Sequence, residues 1–151
     1  MALAVAEAQR ILRPGGLLLD LHPAGTPMRL EAWTQHRPGP AADDLDPAAY
    51  QRQPLGELAL EDSASDFRAA SAALAAAGQT GFEPGQTIPF EYRYFFDNLD
   101  EFSEYMDENE QLPLAGDALL ERALDAVARA TTPVKLVLIQ PAIALSLRKA
   151  A

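Results

Sequence analysis

Few side chains in this 151-residue chain have broad chemical range. There is no cysteine, so disulfides, thiolate metal sites and thiol nucleophiles are excluded. His22 and His36 are the two histidines, and any zinc or triad chemistry has to use one of them. His22 follows Asp20 by two residues, a spacing that puts both side chains on one face of an extended strand. Together they can hydrogen-bond a substrate at the strand's C-terminal end. The plain alternative is that His22-Pro23 closes the strand with a polar, partly exposed ring. Ser63, Ser65, Ser71 and Ser103 fall at cap or helix positions, away from the strand-to-helix elbow that suits a nucleophile, so no Ser/His/Asp arrangement is expected. No catalytic residue is assigned.

The remaining polar clusters are weaker. Asp97, Asp100, Glu101, Glu104, Asp107, Glu108 and Glu110 have neither the glycine nor the alternating oxygen ligands of an EF-hand loop. Several fall near a helix N-terminus, where the macrodipole favours them, and a solvated helix face accounts for the run. Trp33 and His36 lie in an irregular stretch, where Trp33 fits a core plug or contact anchor better than a stacking platform. Phe90, Tyr92, Tyr94, Phe95, Phe96, Phe102 and Tyr105 have the strand and helix spacing of core aromatics, with a lined pocket as the alternative.

The elements that must position these groups follow from periodicity. Residues 2–12 fit an amphipathic helix through Leu3, Ala8, Ile11 and Leu12. Pro14-Gly15-Gly16 breaks it, and 16–22 is a short apolar run that predicts a buried strand. Residues 26–47 carry Pro27, Pro38, Pro40 and Pro47 and predict a long loop with room for one strand around 28–33, and 51–60 resembles a short exposed strand, so that about 26–60 forms an irregular insertion. Ser63 and Asp66 predict a helix start, with Phe67, Ala70, Ala73, Leu74 and Ala77 as its apolar face and Gly78 as its end. Residues 87–96 alternate, placing Ile88, Phe90, Tyr92, Tyr94 and Phe96 on one face. Asn98 with Glu101 predicts a capped helix, and Asp117 a second one buried through Leu120, Leu124 and Val127, with Ala123 between them. Residues 134–147 predict the final strand.

Ile11-Leu12-Arg13-Pro14-Gly15-Gly16-Leu17-Leu18-Leu19-Asp20 resembles the "L-(R/K)-P-G-G-x-L" signature of class I S-adenosylmethionine-dependent methyltransferases. In that family the turn joins the fourth helix to the fifth strand. A variable insertion, a sixth strand and an antiparallel seventh strand between them follow, matching 16–22, 87–96 and 134–147. The resemblance implies an α/β fold: a small mixed sheet of three to four strands, the last antiparallel, flanked by helices, like the C-terminal part of a Rossmann-like methyltransferase. Residues 1–151 then form a single truncated domain.

The cofactor half of such a fold needs a glycine-rich loop after the first strand and an acidic residue ending the second. Gly15-Gly16 follows a helix, and no G-x-G triplet occurs in the sequence. No cofactor-binding residue carries over. The resemblance therefore implies a substrate-side domain without S-adenosylmethionine of its own, although a complete family member uses that cofactor. Such a chain is either a fragment of a split or frameshifted methyltransferase or a degenerate homologue acting as a binding or dimerisation module. An independent enzyme using Asp20 and His22 is a third reading.

The net charge of −10, with no basic stripe, argues against a nucleic-acid partner. No apolar run approaches the roughly 20 residues of a membrane span, and the N-terminus lacks the basic start of a secretion signal, so a cytoplasmic protein is expected. The expected partner is a second copy paired through the strand edge at 16–22, or an N-terminal methyltransferase fragment.

Overall fold

The computed structural model describes residues 2–36, 47–58, 63–109 and 116–151. Their order is α1 (Ala2–Ile11), β1 (Leu17–Pro23), β2 (Met28–Gln35), β3 (Tyr50–Leu58), α2 (Ser63–Ala75), β4 (Phe82–Phe96), α3 (Leu99–Glu108), α4 (Asp117–Arg129) and β5 (Val134–Lys149), with short 3-10 turns at Pro47–Ala49 and Ala76–Thr80. The fold is α/β, and its five strands form one antiparallel sheet. The chain divides into two compact units: Met1–Thr26, Leu60–Tyr92 and Pro141–Ala151 form the first, Pro27–Ala59 and Arg93–Gln140 the second.

In the first unit, the helix-to-strand turn has a residue-by-residue cause. Gly15 takes φ +76°, a left-handed conformation that a Cβ resists. Gly16 answers a different need, since a Cβ there would lie 2.8 Å from the Arg13 carbonyl oxygen. The α1 carbonyls left open by the break are met by a cation. Lys149 Nζ donates to the carbonyls of Gln9 at 2.6 Å and Leu12 at 2.7 Å, where the helix dipole also favours positive charge. The Gly15 amide donates to Lys149 O at 2.9 Å and the Lys149 amide to Gly16 O at 2.8 Å, fastening the turn to the end of β5.

β1 then runs antiparallel to the C-terminal stretch of β5, from Leu17 opposite Arg148 to Pro23 opposite Ala142. One face of this pair is covered: Val5, Leu74, Ala77, Phe82 and Leu147 form a buried cluster, with Leu18 and Leu145 packed on it. The other face is open. Leu17, Leu19 and Leu21 are 48%, 68% and 63% exposed, against the expectation of a strand buried on both faces. An unbroken leucine run does not reveal how many of a strand's faces are covered, and here only one is.

In the second unit, β2 pairs with β3 on one side and with residues 134–139 of β5 on the other. Two strands therefore come from the insertion at about 26–60, at the two places where the sequence leaves room for them. They raise the count from the expected three or four to five, and the sheet is antiparallel, not mixed. The prolines punctuate this hairpin without breaking it. Pro27 precedes β2, Pro47 precedes β3, and Pro54 sits at a β-bulge where Leu30 and Glu31 oppose Gly56 and Pro54. The extra residue, Leu55, has its carbonyl taken up by the Arg122 guanidinium. Pro38 and Pro40 lie outside the described residues.

Met28, Leu30, Leu136, Leu138 and Phe102 are at most 1% exposed and centre this unit's core. Trp33 is fully buried among Tyr50, Val137, Ile139 and Phe95, and its indole N–H donates to Glu31 at 2.8 Å. It is a core plug. Asn98 caps α3 by accepting from the Glu101 amide at 2.8 Å, and Glu101 reaches back to the Asp97 amide at 2.8 Å, as the spacing predicts. α4 differs: Gly116 is its N-cap and Asp117 its first residue. Ala123 is buried and Leu120 packs on the same core, as expected, but Leu119 is buried with them while Leu124 and Val127 are exposed, so the buried face is turned partly away from the expected one. The aromatic strand face also divides. Phe96 is buried against Phe102 in the second unit, while Ile88 and Tyr92 are exposed in the first. The side chain of Ser63 and all of Glu110 lie outside the described residues.

Candidate functional site

β1 alternates, so Leu18, Asp20 and His22 share the covered face of the first unit. The β5 residues opposite them are Leu147, Leu145 and Ile143. α2 lies over this face through Ala70 and Leu74, both buried, and Ser71 occupies the same stripe one turn before Leu74. The result joins three residues from two elements. Asp20 Oδ2 pairs with His22 Nδ1, and His22 Nε2 lies 2.8 Å from Ser71 Oγ.

The pairing fixes the imidazole's chemistry. With Nδ1–H donated to the Asp20 carboxylate, Nε2 is the ring's free acceptor position, and it faces the Ser71 hydroxyl, which can donate to it. His22 is 7% exposed and is the buried polar residue of the described chain, and both its ring nitrogens are satisfied. Beside it is a cavity of about 270 Å³ lined by His22, Ser71, Thr87 and the aliphatic Leu74, Ile143, Leu145 and Leu147, with Ala75 and Pro84 at its wall. An apolar chamber with a few convergent polar groups is the usual form of a small-molecule site.

The sequence expectation of Asp20 and His22 acting as a pair therefore meets a structure in which their side chains do bond. The expectation that no serine joins them does not hold: Ser71 reaches His22 across 49 positions of sequence. Its mid-helix position hid it. The available signal was a polar residue inside the apolar stripe of Phe67, Ala70 and Leu74. His36 lies apart from this site, its amide donating to Ala49 O at 3.1 Å in the second unit. Among the described residues no three His, Cys, Asp or Glu side chains gather to hold a metal, and no helix is long and apolar enough to cross a membrane.

The opposite face and the outer edge of β1 form a second feature. Lys149 N donates to Gly16 O and Ala24 N to Pro141 O, both in the β1–β5 register. By alternation, the backbone groups of Leu18, Asp20 and His22 point to β5, and those of Leu17, Leu19 and Leu21 point away from it. Among the described residues no strand pairs that outer edge. Thr87 lines the cavity, so its neighbour Ile88, 52% exposed, joins the three leucines on the open face.

Compared with protein-family models, with curated proteins and with solved structures, the chain gives no match.

Proposed function

We propose that this chain is a methyltransferase-like substrate-side domain that has no S-adenosylmethionine site of its own and acts within an assembly. One observation carries the reading. β5 pairs antiparallel with both β1 and β4, so it lies between two strands of one direction, and β1 follows a helix and a Pro-Gly-Gly turn. Class I methyltransferases place their antiparallel seventh strand between the fifth and sixth in this way. On that reading β2, β3 and α2 belong to the variable insertion, and α2 roofs the acceptor pocket. Asp20 and His22 stand at the C-terminal end of β1, where open α/β sheets place ligands. They are the polar anchors for a small, largely apolar methyl acceptor.

The partner is a second copy of the chain. The outward amides and carbonyls of Leu17, Leu19 and Leu21 offer a self-complementary edge, and antiparallel pairing about a two-fold axis extends the sheet while drawing the exposed leucines together. An N-terminal methyltransferase fragment occupying the same edge is the other outcome of the test. In either assembly the chain is a cytoplasmic protein, and neither nucleic acid nor membrane is its partner. Calorimetric titration of the isolated chain with S-adenosylmethionine is expected to give no saturable heat. Stoichiometric binding at micromolar cofactor would overturn the reading.

A further inference from the structure

Ser71 Oγ, the His22 ring and Asp20 Oδ2 stand in the bonding order of a nucleophile, its general base and the carboxylate that orients the base. We propose that this relay is a nucleophilic centre that hydrolyses small apolar carboxylic esters. Such constellations are defined by geometry and roles and recur on unrelated folds, so the mid-helix origin of Ser71 does not exclude the role. The Oγ–Nε2 distance of 2.8 Å is within direct proton-transfer reach. The ring's burial excludes most water from the base. The aliphatic walls of the 270 Å³ cavity suit an acyl chain of a few carbons. Thr87, the remaining polar side chain of the lining, has a hydroxyl to offer an oxygen developing negative charge.

The steps balance with water as the second reactant. Ser71 Oγ bonds to the ester carbonyl carbon while its proton passes to His22 Nε2. The tetrahedral adduct breaks its bond to the alkoxy oxygen, which takes that proton and leaves as the alcohol. His22 then accepts a proton from water, whose oxygen attacks the acyl-Ser71 carbonyl. The carboxylic acid departs, and Ser71 Oγ regains the proton from His22. Asp20 is a positioning residue, holding the tautomer and stabilising the imidazolium.

The test treats the full chain with a fluorophosphonate and follows p-nitrophenyl butyrate hydrolysis. One phosphonyl group is expected on Ser71, with butyrate ester protecting against it. Ser71→Ala abolishes the label and lowers kcat/KM by about 100-fold or more, and His22→Gln does the same. Asp20→Asn lowers it by about tenfold or more and alters the pH profile, a change that a merely structural role would not produce. If a variant fails to fold, the site of labelling in the unaltered chain decides. No label on Ser71, or hydrolysis in folded Ser71→Ala equal to that of the unaltered chain, would overturn the proposal. The methyltransferase-like reading would survive that result, because it rests on strand order and not on the serine.

Discussion

Replacing Lys149 with methionine removes the cation that closes α1 while keeping a long apolar stem. Two charge-assisted hydrogen bonds, at 2.6 and 2.7 Å, are lost, and the carbonyls of Gln9 and Leu12 must turn to water. Hydrogen bonds to charged groups each contribute about 1.5–3 kcal/mol when the partner is left unsatisfied. Lys149 is only half-buried, so water recovers part of that loss. A helix C-terminal cation adds about 0.3–1 kcal/mol through the dipole. The expected net cost is about 2 kcal/mol, a fall in melting temperature of roughly 4–8 °C for a chain of this size. Urea unfolding followed by circular dichroism should show a lower midpoint with an unchanged slope. Hydrogen exchange should quicken in the last turn of α1. Arg10→Ala is the control: it removes a cation from the same last turn, but its bond to Glu7 is on the surface, so the midpoint should move far less. If Lys149→Met matched that control, the account of how the first unit's helix is tied to β5 would be wrong.

Leu138→Ala, at a fully buried position, should cost about 2–5 kcal/mol, whereas Leu19→Ala on the open face should change monomer unfolding by no more than about 0.5 kcal/mol, both read from urea midpoints at high dilution. Gly16→Ala should destabilise by about 1–3 kcal/mol, because its Cβ meets the Arg13 carbonyl; an unchanged midpoint would show that the turn relaxes freely. Burial, with Tyr94 adding its charge and hydrogen bond, pushes the Tyr105 phenol up. The folded state therefore holds this proton more tightly than the unfolded chain. That contribution is intact below the unfolded phenol's value of about 10 and is lost as pH rises through the folded one. Tyr105→Phe should flatten the alkaline limb of a stability–pH curve, and an identical limb would refute the assignment.

Local chemistry made the span of the first helix (though not its buried face, where Val5 is inward while Leu3 and Ile11 are exposed), its Pro-Gly-Gly stop, the Asn98–Glu101 cap and the last strand legible in the sequence. Each depends on residues within a few positions of one another. What escaped depends on tertiary contact. The strands near 28–33 and 51–60 could be placed, but not their pairing with each other and with β5, because the prolines at their ends and at the bulge read as an insertion outside the sheet. The Leu17–Leu21 run predicts a strand correctly but does not reveal that one face lies open. In α4, Ala123 and Leu120 do pack on the core, but Leu119 joins them in place of Leu124 and Val127, because neighbouring apolar positions make two faces nearly equivalent by pattern. At the site, Asp20 and His22 could be paired from their two-residue spacing. Ser71 could not be joined to them, because only the packing of α2 on the sheet brings it to His22.

The outer edge of β1 is the proposed joining surface between copies of the chain. The most direct measurement is residue-resolved amide exchange across Leu17–His22 at micromolar concentration, with sedimentation equilibrium on the same sample. Amides of Leu18, Asp20 and His22 point to β5 and are slow in any folded state. Leu17, Leu19 and Leu21 are expected to be slow as well, in a species of twice the chain mass, and to become fast on dilution to monomer. Fast exchange at those three positions in a clean monomer, with the alternate amides still protected, would contradict it.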